Sequence, residues 1–304
     1  VTRDQFLQLA AEYQLGHIAN EILSTAIPSV RVLRTALRAA RTEDQTFLGG
    51  MPRPMPKDWP QHRDLPLTFV AQVAMASVPP DICPVPQPDG ILQFFVPPVP
   101  ENHDYEPSLD CGRVIFVDLV AAKSESTNDE SSEGPAPKPS LVSRVFSRFK
   151  VEPYAKPEGN SMPSQKIFSR RTFEWEVFPS LYPGAPDPDG LWLPDTARSF
   201  NFNFEADEEN YFDFRRAVLA KSHCSLCAQM FGFADPLQED MEPIVNTFAG
   251  NPSSEIFRDW LLLFALNSSC AGLAPEAACY YFWIHRDDLA DCRFDNVWLC
   301  VQRD

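Results

Sequence analysis

Trp260-Leu-Leu-Leu-Phe-Ala-Leu266, Cys279-Tyr-Tyr-Phe-Trp-Ile284 and Val297-Trp-Leu-Cys-Val301 decide the fold class of this chain. Each run has the length of a strand rather than a helix, and polar or turn-forming residues bound it. None alternates cleanly between apolar and polar, so these strands are expected to be covered on both faces. Three such runs in close succession read as the central strands of a sheet.

The same order of features occurs once earlier. Phe47 and Gly49-Gly50 are followed within a few residues by proline, then by the strands Leu67-Thr-Phe-Val-Ala-Gln-Val73, Ile91-Leu-Gln-Phe-Phe-Val96 and Arg113-Val-Ile-Phe-Val-Asp-Leu119, the last two led by Gly90 and Gly112. In the second half, Phe231-Gly232 and Pro236 precede the three runs quoted above, and Trp59 and Trp260 mark a connector in each half. The shared order implies a weak internal duplication, with residues 46–121 and 166–304 as pseudo-repeats. The expected fold is α+β: antiparallel sheets from two weakly similar halves packed together, preceded by N-terminal helices. Phe173-Glu-Trp-Glu-Val-Phe178 alternates and reads as a half-buried edge strand. Glu208–Lys221 reads as a helix, with Asp207, Glu208 and Glu209 complementing the dipole at its start.

Residues 1–45 read as a helical segment. Thr2 suits an N-cap and Asp4 the first turn, while Phe6, Leu9, Tyr13 and Ile18 approximate one face. A second helix begins near Asn20, breaks before Pro28 and resumes through Val30, Val32, Leu33 and Leu37. On it Arg31, Arg34, Arg38 and Arg41 line one face, either solvated or a contact for an acidic partner. Residues 122–165 lack apolar periodicity and read as a flexible insert. Within it, 141–150 carries Leu141, Val145 and Phe149 on one helical face beside Arg144, Arg148 and Lys150. That segment reads as a short docking helix or a weak peripheral anchor for a membrane or partner.

The chain has 304 residues, enough for a substantial core, and a formal net charge of −16. Such acidity repels phosphate backbones, which argues against nucleic acid and suits solubility or a basic partner. No apolar run approaches the roughly 18–20 residues needed to span a bilayer. Cys224-Ser-Leu-Cys227, after His223, has the spacing closest to a metal site, but a structural zinc site needs a second pair and no other cysteines repeat it. These two read as unpaired helix-end thiols, with zinc or a redox pair as alternatives. Cys279 and Cys300 sit inside apolar runs as small hydrophobes. With no secretory leader pattern in Val1-Thr-Arg-Asp-Gln-Phe-Leu7, the expectation is a reducing, cytoplasmic setting with no metal and no cofactor.

Several of these stretches resemble one family. Leu48-Gly-Gly-Met-Pro52, Trp59-Pro60, Pro66–Val73 and Gly90–Phe95 resemble the first half of the YwqG-like domain of unknown function. Gln229-Met-Phe-Gly-Phe-Ala-Asp-Pro-Leu-Gln-Glu-Asp-Met241 is similar to its Gly-x-x-Asp-x-x-Gln segment, and Tyr281–Leu289 with Phe294–Trp298 to its ending. The resemblance runs from about Thr46 to Gln302 apart from the insert. It implies an α+β fold and a bacterial origin, and it brings no established reaction. The family has an Asp after the Leu-rich strand and a Gly-Asp-x-Gly stretch before the Tyr-Phe strand. Here Asn267-Ser268-Ser269 and Ala274-Pro-Glu-Ala-Ala278 stand instead, so an activity resting on that loop is lost or altered.

Candidate ligand-binding residues are Gly49, Gly50, Asp235, Gln238, Asp240 and His285. Asp235, Gln238 and Asp240 share a loop with Gly232 and Pro236, and loops on rigid sheets often carry function. His285-Arg-Asp-Asp288 reads either as acid–base residues or as a helix start. No catalytic residue is assigned: nucleophile elbow, zinc helix, phosphate loop and dinucleotide fingerprint are all missing from the sequence. The leading expectation is a non-enzymatic cytoplasmic protein-binding domain, with a toxin-neutralising role as its specific form. The alternative is a small-ligand-binding domain or hydrolase using a crevice between the halves, where Asp235, Gln238 and His285 converge with the Gly49-Gly50 loop.

Overall fold

The computed structural model describes residues 2–97, 112–119, 169–181, 204–220, 226–237, 241, 245, 259–271 and 278–303. The insert, with its 141–150 segment, lies outside the described residues, as do Cys224, Gln238, Asp240 and the loop residues 272–277. The chain opens with α1 (Arg3–Glu12) and α2 (Ala19–Thr25), then β1 (Ile27–Leu33), β2 (Arg38–Ala39) and β3 (Phe47–Leu48). A small hairpin of β4 (Gln61–His62) and β5 (Leu65–Pro66) leads to β6 (Thr68–Ala74), β7 (Gly90–Val96) and β8 (Arg113–Asp118). After the insert come β9 (Arg171–Thr172), β10 (Glu176–Ser180), α3 (Phe204–Ala220) and β11 (Leu226–Met230). The chain ends with β12 (Trp260–Asn267), α4 (Ser268–Ala271), β13 (Ala278–His285), α5 (Arg286–Ala290) and β14 (Trp298–Arg303).

Two six-stranded sheets result, in the orders β10-β1-β11-β12-β13-β14 and β2-β9-β3-β6-β7-β8. All neighbouring strands run antiparallel. The fold is the expected α+β arrangement, mostly sheet, with N-terminal helices. The two orders correspond strand for strand: β11 to β14 in the first sheet as β3, β6, β7 and β8 in the second. β1 adjoins β11 while the chain continues into β2 at the edge of the other sheet, and β9–β10 makes the reverse crossing. Each sheet carries a register shift at the matching place, between Phe69 and Ala71 and between Leu262 and Phe264. Such bulges bend a strand locally and add twist.

Strict alternation places the core. In β13, Tyr280, Phe282 and Ile284 belong to the cluster between the sheets, while Tyr281 and Trp283 belong to a separate outer cluster. Phe94 of the second sheet stacks on Phe264 of the first at 4.4 Å and meets Phe282 edge-on at 5.1 Å. Burying each such ring contributes about 1.5–3 kcal/mol. The helices form a satellite core in which Phe6, Leu9 and Ile22 meet Tyr211, Phe214 and Val218. Thr2 closes the capping box with Gln5 that starts α1.

The N-terminal segment departs from the expectation in one respect. Residues 27–33 form an inner strand beside the edge strand β10, not a resumed helix. Val30 and Val32 are fully buried with Arg31 between them, a period of two that β-branched residues favour. The spacing of the arginines therefore does not define a helical face. Arg31 is 2% exposed, lies 4.3 Å from the Phe178 ring and donates to Glu176 at 3.3 Å. Arg34 sits in a 3-10 turn and Arg38 pairs with Glu174. β1 is thus integral to the sheet that holds the C-terminal strands. At the edge, Pro179 in β10 removes a backbone donor and blunts further pairing.

Candidate functional site

The two halves handle the chain after β3 and β11 in the same way. Gly49 and Gly50 have φ of 67° and 73°, and Phe231 and Gly232 have φ of 59° and 73°. Each left-handed turn carries the chain over the outer face of its own sheet. A loop lying on a sheet has backbone groups without ladder partners, so it needs polar anchors beneath it. Glutamines, which both donate and accept, provide them. On the second sheet, the Arg53 N–H donates to Gln72 Oε1 at 2.7 Å, and Gln93 Nε2 donates to the Pro54 carbonyl at 2.7 Å. On the first, Gln229 Nε2 donates to the Phe231 and Phe233 carbonyls, both at 2.8 Å, and the Leu237 N–H donates to Gln302 Oε1 at 2.7 Å. All four glutamines are buried.

Asp235 lies in the second of these loops. Its carboxylate pairs with Arg215 of α3 at 2.5 Å, and its carbonyl accepts from the Tyr281 hydroxyl at 2.7 Å. Ser180 Oγ accepts from the Phe233 N–H at 2.9 Å. Between these groups is a cavity of about 10 Å³ lined by Ser180, Arg215, Gln229, Phe233 and Asp235 among others, the scale of one water molecule. The arrangement binds α3 and the loop to the sheet, and it leaves the Asp235 carboxylate already neutralised by an arginine.

The other candidates fall elsewhere. His285 ends β13; its ring accepts from the Asp287 N–H at 3.3 Å, which caps α5, and meets the Trp260 ring at 5.6 Å. Gly49 and Gly50 border the loop on the second sheet's outer face, whereas Asp235 lies over the outer face of the first. The two positions are on opposite sides of the sandwich, and the space between the sheets is filled by the inner cluster around Phe94 and Phe264. Asp235, His285 and the Gly49-Gly50 loop therefore do not converge in a crevice.

The residues that organise these loops, Gln72, Gln93, Gln229, Ser180 and Arg215, escaped the sequence reading. A lone glutamine inside an apolar strand was the available signal, because a buried amide must be hydrogen-bonded. Burial pushes the Cys83 thiol above its ordinary pKa. Burial, with Asp118 and Asp291 close by, does the same at Cys292. Neither is an activated thiol. Burial, aided by the charge of Arg53 and opposed by Asp44, lowers the pKa of Arg170, whose guanidinium lies 3.6 Å from the Phe47 ring centre.

The cysteine reading is corrected at Cys227. It lies in strand β11, not at a helix end, and forms a disulfide with Cys270 of α4. The two are 43 residues apart in sequence, so no spacing rule could pair them. The altered loop begins next to this bond. Asn267 Oδ1 accepts from the Ser269 N–H at 3.0 Å, and Ser268 Oγ accepts from the Ala278 N–H at 3.0 Å. Asn267 and Ser268 thus start the turn and close the loop. Among the described residues, no group of three His, Cys, Asp or Glu side chains could hold a metal, and no helix is long and apolar enough to cross a membrane.

These features define an α+β domain of two matching antiparallel sheets, each with a glutamine-pinned loop on its outer face. The chain belongs to the DUF1963 family, a domain of unknown function whose model matches residues 46–302. The match begins after β1, although β1 is an inner strand of the first sheet. No curated protein matches the chain.

Proposed function

We propose that this chain is a non-enzymatic protein-binding module that meets a basic partner, with neutralisation of a basic toxin as its specific form. The observation that carries the reading is the net charge of −16, since complementary potential steers encounter and selects partners. Two features support it further. The inner faces of both sheets are given to packing, and Asp235 is engaged by Arg215 and by the loop it anchors. Among the described residues, the small-ligand or hydrolase alternative is supported by the water-sized cavity beside Arg215, which is far below the about 300 Å³ at which ligand pockets begin.

The matching strand orders and bulges support an origin of the halves by internal duplication. The matched residues are also those that carry the YwqG-like resemblance, so the two family descriptions are read as one. The compartment turns on the Cys227–Cys270 bond. A chain isolated with this bond oxidised belongs to an oxidising compartment, and one isolated with both thiols free fits the cytoplasmic setting.

Affinity capture of the full chain from its native host tests the function. A basic protein is expected in stoichiometric complex, and the purified pair re-forms that complex at about 0.1 M salt and loses it as screening rises. A chain that elutes alone in both measurements overturns the reading.

A further inference from the structure

We propose that Arg53 and Arg170 form a clamp for a carboxylate group on the outer face of the second sheet, where the loop after Gly49-Gly50 meets β9. The clamp takes a single functional group at the surface and is independent of the protein-binding reading above.

One turn and one ring fix the two side chains. The turn spans Arg41 to Asp44: the Asp44 N–H donates to the Arg41 carbonyl at 3.4 Å, and the Arg41 N–H donates to Asp44 Oδ2 at 2.6 Å. Both guanidiniums grip it. Arg53 Nη1 donates to the Thr42 carbonyl at 3.1 Å, and Arg170 Nη2 donates to the Asp44 carbonyl. Arg170 also lies 3.6 Å from the centre of the Phe47 ring, which belongs to an apolar cluster on the outer face of the second sheet. Gly50 makes room for the Arg170 stem, because a Cβ there would stand 3.0 Å from Arg170 Cβ. The Arg53 backbone is pinned from below by Gln72. Two arginines are therefore held on one turn before any ligand arrives, which cuts the ordering cost of binding.

The charges on this turn are not balanced. Arg31, Arg38, Arg215, Arg216 and Arg293 each pair with a carboxylate. Among the described residues, Arg53 and Arg170 are in no ion pair, and the neighbouring Glu43 is taken by Arg41 at 3.9 Å. Burial and the charge of Arg53 lower the pKa of Arg170, against the smaller opposing influence of Asp44. An anion bound beside Arg170 relieves that cost. The donors for it are at hand. Arg53 is exposed, and its Nε and Nη2 have no hydrogen bond among the described residues; Nη1 of half-buried Arg170 has none either. Arg170 Nε is closed to solvent, so a ligand meets that side chain only at its outer end. The planar guanidinium fork matches the two oxygens of a carboxylate. A monoanion is favoured over a dianion. Attraction grows in proportion to ligand charge while desolvation grows with its square, and the net charge of −16 repels the second charge.

The test uses nuclear magnetic resonance of the full chain with isotope-labelled arginine. Sodium acetate is the probe, and sodium chloride holds the ionic strength constant. Single Arg→Lys variants assign the Nε–H resonances. That of Arg170, sheltered by burial, is expected to shift and saturate with acetate, while that of exposed Arg216, paired with Asp213, does not saturate. Acetamide, the neutral counterpart, shifts neither. Arg53→Gln keeps the backbone bond to Gln72 and is expected to weaken acetate about tenfold. Asp44→Asn keeps an acceptor for the Arg41 N–H but removes the opposing charge, so acetate should bind about threefold tighter. A gain of affinity cannot come from misfolding, and arginines that only hold the turn would not produce it. A capped glycine–glutamate–glycine peptide separates two sources of the carboxylate. Saturation with the peptide as with acetate admits acidic side chains, saturation with acetate alone restricts the site to small acids, and either supports the clamp. Shifts that rise without saturating, the same curve at Arg216, sulfate binding more tightly than acetate, or unchanged affinity in both variants overturns the proposal.

Discussion

Replacing Gly232 by alanine adds one methyl group at a point where neither the backbone nor the neighbours can accept it. The residue has φ of +73°, and holding an L-residue there costs about 1–2 kcal/mol. The added Cβ would lie 2.6 Å from Ser180 Cβ, 2.7 Å from Ser29 Cβ and 2.9 Å from Ser180 Oγ. Carbon atoms rest at about 3.5–4.0 Å, so something must move by about an ångström. Ser29 and Ser180 are buried on the paired strands β1 and β10, and their Cβ atoms move only with the backbone. Overpacking of this kind costs about 1–3 kcal/mol, for a total of about 2–5 kcal/mol.

Gly50→Ala is the control. It has the same φ of +73°, but its nearest neighbours are Cβ, Cγ and Cδ of the Arg170 side chain at 3.0, 3.2 and 3.4 Å. The Arg170 Cβ also moves only with its backbone, but it need give only a few tenths of an ångström against about an ångström at the serines, so a smaller steric cost adds to the conformational cost of about 1–2 kcal/mol. Urea unfolding followed by tryptophan fluorescence gives both values. Gly232→Ala is expected to lose about 1–3 kcal/mol more than Gly50→Ala. Equal losses, or a larger loss at Gly50, would refute the claim that the serine pair sets the cost.

Three further outcomes are expected. Gln72→Leu removes the acceptor for the Arg53 N–H and the donor to the Gln45 carbonyl at 2.9 Å, and should cost about 1–3 kcal/mol with faster proteolysis of the 49–60 loop. An unchanged cleavage rate would show that the amide does not pin that loop. Non-reducing peptide mapping should recover Cys227 linked to Cys270, and Cys270→Ala should cost about 4 kcal/mol for a closed loop of 43 residues. The disulfide-bonded and fully reduced wild-type chains unfolding at the same urea concentration would contradict this. Burial raises the Tyr211 phenol above its ordinary pKa of 10.0, with Arg215 opposing. Above that pH the unfolded chain releases this proton and the folded chain keeps it, so stability present below pH about 10 is lost as pH rises further. Tyr211→Phe should flatten the alkaline limb of a stability–pH profile measured by urea titration, and an unaltered slope would count against the linkage.

The elements most legible in the sequence were those whose burial leaves a local trace. The expected strands 260–266, 279–284 and 297–301 appear as Trp260–Asn267, Ala278–His285 and Trp298–Arg303. The helix expected from Glu208 appears as Phe204–Ala220. Thr2 capped the first helix because its partner Gln5 is three residues away. The strand at 27–33 was missed because four arginines at helical spacing competed with a period of two carried only by Val30 and Val32. Arg31 could be buried there only because Phe178 and Glu176, almost 150 residues later, cover and pair with it.

The candidate site was legible only as a set of residue types. Asp235 was singled out, but its partner Arg215 lies on a different element, and its relation to Gly49-Gly50 depends on which sheet face each loop crosses. By itself the sequence determined the strands, the caps, the acidity and the doubled order of features, because periodicity, hydrogen bonding to near neighbours and net charge are local or additive. The tertiary structure decided what faces what. It sent β1 and β10 across to the first sheet and set Phe94 on Phe264 where a crevice was expected. It also joined Cys227 to Cys270 and brought Arg53 and Arg170 to one turn. Each of those outcomes depends on contacts between residues far apart in the chain, and such contacts leave no mark on the spacing of either partner.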